Sequence, residues 1–492
     1  MRLNSGLAAA LNLSLLNELS RLRHFHCLYM NQFRTARAAV LFLLVFICAS
    51  AWAAPVLMIS IDGLKPEYVT HADEHGLHIP TLRRFVQEGT YAEGVIPSLP
   101  TVTYPNHTTL ITGVWPAEHG ILNNQVFDPE HKFDGAWYWY AESIKVPTLW
   151  DAAHQAGIGT ASVSWPVSVN ATSVDTLIPE YWRSNSVGEG KNAQDRYLMN
   201  AISRPDGALA EMEQRLGPYM AGNDTSVEHG DEVRTQFALD ILSHKKPGFM
   251  TIHLSAMDSS EHAFGPFSAE ANKTLEAVDG MVARLMTAAL KNDPQTKVVI
   301  VSDHGFLNIT HTVNLYIPFV EKGLVTFGKH QGYEGETTVV TSWKAQLWSG
   351  GGVTAVYLHD ANDTATRDQV HELLTTLAAD PANGIDQILD ASQIAEHGGF
   401  PDAAYLIVMK QGYTMGAGMT GPLVTASSVL HGSHGFWPLF PEMHSSFFVL
   451  GEGVAHGRNL GVIDMRQIAP TVAEILGVSL PTAKQPAVKV VP

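Results

Sequence analysis

Along most of the chain after residue 54, short continuous apolar runs alternate with longer stretches whose apolar residues recur every three or four positions. The first pattern marks buried strands and the second amphipathic helices. Strands are predicted at Val56–Ile61, 159–164, Phe249–Leu254, 298–301 and 446–450. Helices are predicted at Pro80–Glu88, 106–112, 148–156, 231–244, 269–291 and 465–476. In the longest, Leu275, Val278, Val282, Leu285 and Met286 fall on one stripe, which reads as packing against a sheet. Strands alternating with helices predict an α/β fold with a mostly parallel central sheet sandwiched by helices. The texture changes over 335–415, where strands at 337–348, 352–358 and 404–410 flank a helix at 367–379. This range is expected to form a small α+β insertion near the site mouth. Residues 184–195 fit no element.

Arg34 and Arg37 precede an apolar run at 38–48, and Ala51-Trp52-Ala53 has the A-x-A form of a cleavage site. These are the parts of a secretory signal over 30–53, with an apolar core too short to span a bilayer, which takes roughly 20 residues. Met30 would open a signal of ordinary length, so residues 1–29 are expected to be a non-native upstream extension. Both cysteines, Cys27 and Cys48, precede the cleavage site, which leaves the mature chain without disulfide, thiolate ligand or cysteine nucleophile. A chain of about 440 residues buries enough surface to fold without staples. Residues 1–53 hold five Arg and one Glu, so their removal takes the formal charge from −17 to −21. An acidic chain without basic tracts is a poor partner for nucleic-acid polymers.

Parallel sheets present ligands at the carboxyl ends of their strands. Asp62 directly follows 56–61, Asp303-His304 follows 297–302, and Asp258 and His262 lie just beyond 249–255. Carboxylate oxygen and imidazole nitrogen are zinc's usual non-sulfur ligands. Singly, each reads more often as a turn, a cap or a surface pair; three at predicted strand ends are hard to explain as separate accidents. A further motif, Pro100-Thr-Val-Thr103-Tyr-Pro-Asn-His107, puts Pro105 where a helix can begin. Thr103 would then stand just ahead of a helix N-terminus, whose free N–H groups favour a phosphoryl anion. A threonine hydroxyl needs a base or metal to act as nucleophile; its bland alternative is an N-cap.

Taken together, Ile59-Ser-Ile-Asp62-Gly63, Thr101-Val-Thr103-Tyr-Pro-Asn-His107, His119-Gly-Ile-Leu-Asn-Asn124, Asp258 with His262, Asp303-His304-Gly305 and Gly432-Ser-His434-Gly435 resemble the nucleotide pyrophosphatase/phosphodiesterase family of the alkaline phosphatase superfamily. The resemblance runs in order from about Val56 to Val478 and implies an alkaline-phosphatase-like catalytic domain over 54–480, with 481–492 as a tail. It implies two zinc ions, one held by Asp62, Asp303 and His304 with Thr103 approaching, the other by Asp258, His262 and His434. His434 is preferred to His431 because glycine follows it directly. It also implies a covalent phospho-threonine at Thr103, stabilised by the Thr103 N–H and the Asn124 side chain. Tyr104, with Tyr181 or Trp182, would stack on a nucleobase. After His434-Gly435 the chain departs from the family's usual Tyr-Asp-Asn and reads Phe436-Trp437-Pro438.

Relatives that cleave monoesters with a threonine place a Lys/Arg pair after a central strand, where this chain has Ser164-Trp165-Pro166. A monoanionic diester or pyrophosphate of a small nucleotide-type molecule is therefore the expected substrate. An alkaline-phosphatase-type monoesterase, a phosphonate hydrolase and a non-catalytic metal- or nucleotide-binding protein remain as alternatives. A sulfatase is disfavoured, since its Cys/Ser-x-Pro-x-Arg motif is absent. The signal disfavours the superfamily's cytosolic mutases and points to a periplasmic or secreted protein with no stable membrane anchor after cleavage. Oligomeric state is not legible.

Overall fold

The computed structural model describes residues 54–130, 136–181, 191–220, 227–332 and 335–491. The upstream extension, the signal, both cysteines and Trp182 lie outside the described residues. An eight-stranded sheet forms the centre. Its strands in chain order are β1 (Val56–Ile61), β2 (Thr90–Tyr91), β3 (Thr160–Val163), β4 (Thr176–Ile178), β5 (Phe249–Leu254), β6 (Lys297–Val301), β7 (Phe447–Leu450) and β8 (Arg458–Asn459). Across the sheet the order is β8-β2-β7-β6-β1-β5-β3-β4. β6, β1, β5, β3 and β4 run parallel, and β7 is antiparallel to β6 and β2.

β1 explains the layering. Successive strand residues point to opposite faces, and all six of its residues are buried, as expected of a parallel strand covered on both sides. Leu57, Ile59 and Ile61 join one core with α1 (Pro80–Glu88), α4 (Val227–Lys245) and α6 (Ala269–Asn292). Val56 and Met58 join the other, with α2 (Thr103–Thr112), α3 (Leu149–Gln155) and α7 (Ile468–Leu476). Between β5 and α6 lies α5 (Ala256–Phe264).

Several expectations change. The helix at 106–112 starts three residues earlier, at Thr103. The single strand expected at 337–348 is two, Gly335–Trp343 and Ala345–Ser349, in different sheets. The chain turns at Lys344, where the N–H groups of Lys344 and Ala345 both donate to the Leu324 carbonyl. Extra sheets also reach beyond 335–415, from Leu307–Val313 to Val424–Ser433. A helix, Lys191–Ile202, covers the end of the unassigned 184–195. The expected tail packs instead along the domain: Val490 is buried and Val488 N–H donates to Thr471 Oγ1.

Candidate metal centre and nucleophile

The carboxyl ends of β1, β5 and β6 converge on one spot. Asp62 leaves β1, Asp303 and His304 leave β6, and α5, one residue after Ser255, carries Asp258 and His262 one helical turn apart. His304 Nε2 lies 3.0 Å from Asp303 Oδ2 and 3.4 Å from Asp62 Oδ1. On the other side Asp258 Oδ2 lies 3.4 Å from His262 Nε2 and 3.6 Å from His434 Nε2. The rings of His304 and His434 stack with centroids 3.7 Å apart, so the two groups adjoin. Ligand atoms within 4.8 Å of one another form the sets Asp258/His262/His434 and Asp62/Asp258/His304. Asp258 thus faces both groups, and Asp303 reaches the inner one through His304.

The donor chemistry fits divalent metal. Asp62 Oδ1, Asp258 Oδ2 and Asp303 Oδ2 are buried without a hydrogen-bond partner, an arrangement that is costly unless a cation takes up the lone pairs. His262 Nδ1 donates to the Gly432 carbonyl and His434 Nδ1 to the Thr101 carbonyl, each at 3.1 Å. Each bond leaves Nε2 as a lone pair toward Asp258, the way metal-binding imidazoles are held. Burial, then the neighbouring His304 and His262 rings, hold the His434 pKa well below the usual value. At His304 burial opposes the charged ring, but Asp303, then Asp62 and Asp258, lift its pKa to about 9. Burial, followed by Asp303 and Asp258, raises the Asp62 carboxyl. A field that holds a proton this firmly also favours a metal ion. His431, by contrast, turns its Nδ1 to Ser427 Oγ and the Val429 carbonyl.

Thr103 is the first residue of α2, with Val102 rather than Thr103 as N-cap. Its Oγ1 lies 3.5 Å from His304 Nε2. His107, one turn on, bonds the Thr103 carbonyl at 2.9 Å and Ser60 Oγ at 2.8 Å; burial lowers its pKa to about 4. Asn124 Oδ1 accepts the Tyr104 N–H at 2.9 Å, which leaves Nδ2 as the end free to donate. Gly435 follows His434 at φ 82°, and a Cβ there would meet the Gly350 carbonyl oxygen at 1.5 Å. Only glycine allows the loop after His434 to pass the Gly350 backbone so closely. The departure at Phe436-Trp437 has a structural reason, because both side chains are buried, Phe436 with Leu347 and Val356, Trp437 with Trp348 and Leu406.

Tyr104 differs from expectation. Its ring is fully buried, edge-on to Trp137 and Trp139, and its hydroxyl donates to Glu180 Oε1 at 2.9 Å. Its faces are closed to a base in this arrangement. Tyr181 is half-buried with its ring 5.2 Å from Trp139.

Sequence reasoning also passed over His253 and Glu180. His253 Nε2 lies 2.9 Å from Asp62 Oδ2, and Nδ1 lies 2.7 Å from Glu180 Oε2 and 3.1 Å from the Ser164 carbonyl. Every partner is an acceptor, so both ring nitrogens must donate. The available signals were a histidine inside the apolar run of β5 and a glutamate two residues past β4.

Residues 56–437 match the family model described as type I phosphodiesterase / nucleotide pyrophosphatase. The chain is 27% identical over 263 residues to ectonucleotide pyrophosphatase/phosphodiesterase family member 1 of Mus musculus, which covers 51% of this chain and 24% of that protein. It is 26% identical over 262 residues to an uncharacterized pyrophosphatase/phosphodiesterase of Schizosaccharomyces pombe, covering 52% and 45%. The chain therefore spans about a quarter of the mouse relative and less than half of the yeast one. Among solved structures, human ectonucleotide pyrophosphatase/phosphodiesterase 5 superposes with TM-score 0.58 at 17% identity, over 86% of this chain and 95% of that one. An inactive murine counterpart in complex with AMP gives 0.59 at 17%, over 87% and 96%. At that identity the likeness speaks for the fold.

Proposed function

Because the chain belongs to the type I phosphodiesterase / nucleotide pyrophosphatase family, we propose that it hydrolyses phosphodiester or pyrophosphate bonds of small nucleotide-type molecules through a covalent phospho-threonine. The observation that carries this reading is Thr103 Oγ1 at a helix start, 3.5 Å from His304, beside buried carboxylate oxygens that lack partners. Asp62, Asp303 and His304 would hold one zinc ion, and Asp258, His262 and His434 the other. Bound there, zinc would supply Lewis acidity that lowers the pKa of a hydroxyl and offsets phosphoryl charge.

The chain's own residues do the rest. Thr103 Oγ gives up its proton and forms a bond to phosphorus in line with the departing oxygen. The P–O bond to the leaving group breaks with its electron pair, and that oxygen takes up a proton. The Thr103 N–H and Asn124 Nδ2 donate to a non-bridging oxygen, which costs no reorganisation in a preset site. Water then forms a new P–O bond, Oγ leaves phosphorus and recovers a proton, and one water is consumed per turnover.

Substrate charge is the next discriminator. Ser164 and Trp165 follow β3 where a cation pair would serve a dianionic monoester. Arg234, bonded to Ser255 Oγ at 2.7 Å, is paired with Asp231 at 2.6 Å, so its charge is already matched. Tyr181 and Trp182 are retained as base-binding candidates. Export to the periplasm or outside the cell completes the proposal; among the described residues no helix is long and apolar enough to cross a membrane.

The test is kcat/KM of the zinc-loaded protein on a nitrophenyl ester of a nucleoside monophosphate against nitrophenyl phosphate. A diester preference above about tenfold, worth about 1.4 kcal/mol of transition-state binding, is expected. A reversed preference would make the protein an alkaline-phosphatase-type monoesterase. Inactivity on both would point to a phosphonate hydrolase or a binding protein.

A further inference from the structure

Four buried side chains form a continuous hydrogen-bonded line behind the nucleophile. Tyr104 Oη donates to Glu180 Oε1 at 2.9 Å, His253 Nδ1 donates to Glu180 Oε2 at 2.7 Å, and His253 Nε2 donates to Asp62 Oδ2 at 2.9 Å. None of the four is more than 5% exposed. We propose that Tyr104, Glu180 and His253 are positioning residues that tie the start of the nucleophile helix to the metal ligand Asp62. The proposal rests on the reading of Thr103 as nucleophile and Asp62 as ligand.

The line does two things. It occupies Asp62 Oδ2 and leaves Oδ1, the oxygen without a partner, as the atom turned toward His304. Asp62 can then offer a metal one oxygen in one orientation. It also links two parts of the site through a single residue. The Tyr104 N–H holds Asn124 Oδ1 while its hydroxyl holds Glu180. The oxyanion donor, the nucleophile and the inner metal ligand are therefore registered against one another within the protein core. Burial of Glu180 and Asp62 without the intervening ring would leave two carboxylates unmatched, which is costly; His253 between them removes that cost. Outer-shell partners of this kind typically change metal affinity or activity by about 10–100-fold when lost.

Tyr104→Phe separates this role from base stacking, because it removes the hydroxyl and keeps the ring. Zinc affinity of each site, by chelator competition, and kcat and KM on the nucleoside monophosphate nitrophenyl ester would be measured for wild type, Tyr104→Phe, Glu180→Gln, the double variant and Thr103→Ala. Tyr104→Phe and Glu180→Gln are each expected to weaken one zinc site by about tenfold or more, leave the other unchanged, and lower kcat with KM held within about twofold. The double variant should lose no more than Glu180→Gln alone, since both act through one line. Wild-type zinc affinity and kcat in Tyr104→Phe would overturn the tie, whatever the KM. Equal weakening of both sites, or additive losses in the double variant, would also overturn it. Circular dichroism checks folding; if Glu180→Gln fails to fold, the zinc readout of Tyr104→Phe decides alone. Undiminished turnover in Thr103→Ala would defeat the nucleophile reading while leaving the zinc result to stand by itself.

Discussion

The two ligand groups lie against each other yet are built differently. Asp62, Asp303 and His304 come from the ends of two central strands, and their side chains are no more than 5% exposed. Asp258 and His262 share one turn of α5, His434 sits on a loop, and their side chains are 17%, 41% and 11% exposed. Imidazole side chains back the inner group, with His253 on Asp62 and His107 3.6 Å from Asp303. Backbone carbonyls of Gly432 and Thr101 back the outer one. A site on strand ends inside a packed core is fixed by the fold, whereas a helix turn and a loop can adjust and admit water. Under the proposed function, the contrast suits a division of labour in which the inner group prepares Thr103 and the outer group meets a leaving group that must escape.

The strongest way to break this division is to remove the nucleophilic hydroxyl. Thr103→Ala should keep both metals and lose at least about 10³-fold in kcat, as nucleophile deletions do; zinc content and turnover measured together decide it. Next comes the asymmetry itself. On titration with a chelator, zinc should leave the protein in two phases, the outer ion first. His262→Ala should abolish the early phase and Asp303→Asn the late one. A single phase in wild type would erase the distinction. Gly435→Ala should destabilise the fold by about 2–3 kcal/mol and perturb the outer phase, because the added Cβ meets the Gly350 backbone; urea unfolding measures the first effect.

The effect that is smallest near neutral pH lies behind the nucleophile helix, where His119 Nε2 meets Thr109 Oγ1 at 3.1 Å. Buried His119 accepts the Ile121 N–H at Nδ1, and burial lowers its pKa to about 3. Below about pH 6.5 the unfolded chain protonates this ring and the folded one does not. Its contribution is therefore complete above about pH 6.5 and drains away as pH falls toward 3, by at most about 1.4 kcal/mol per pH unit. His119→Asn should flatten the acid limb of stability against pH by about one proton. An unchanged slope would exclude it as a source of acid sensitivity.

What could be read from the sequence followed the strength of local pattern. β1, β5 and α1 have the boundaries that their apolar runs and flanking turns suggest, because a strand buried on both faces leaves a continuous signal. The same logic located Asp62 and Asp303-His304 at strand ends, since the chain must turn where the run stops. The tie behind Asp62 left only faint traces. Glu180 and His253 are 73 residues apart and meet through sheet order, which no local window records. Tyr104 misled for a related reason. Its position after Thr103 suggested an open face, but the surroundings that close it come from Trp137 and Trp139, more than thirty residues away. The break at Lys344 was hidden because both flanking segments are equally strand-like.

The central claim is that Thr103 forms the covalent ester, and rapid quench with mass spectrometry tests it most directly. The zinc-loaded protein would be mixed with the nucleoside monophosphate nitrophenyl ester, acid-quenched during turnover and digested. A nucleotidyl adduct is expected on the peptide bearing Thr103, formed and lost at rates compatible with kcat, and absent in Thr103→Ala. Steady turnover by Thr103→Ala at the wild-type rate, or an adduct mapped to another residue, would contradict it.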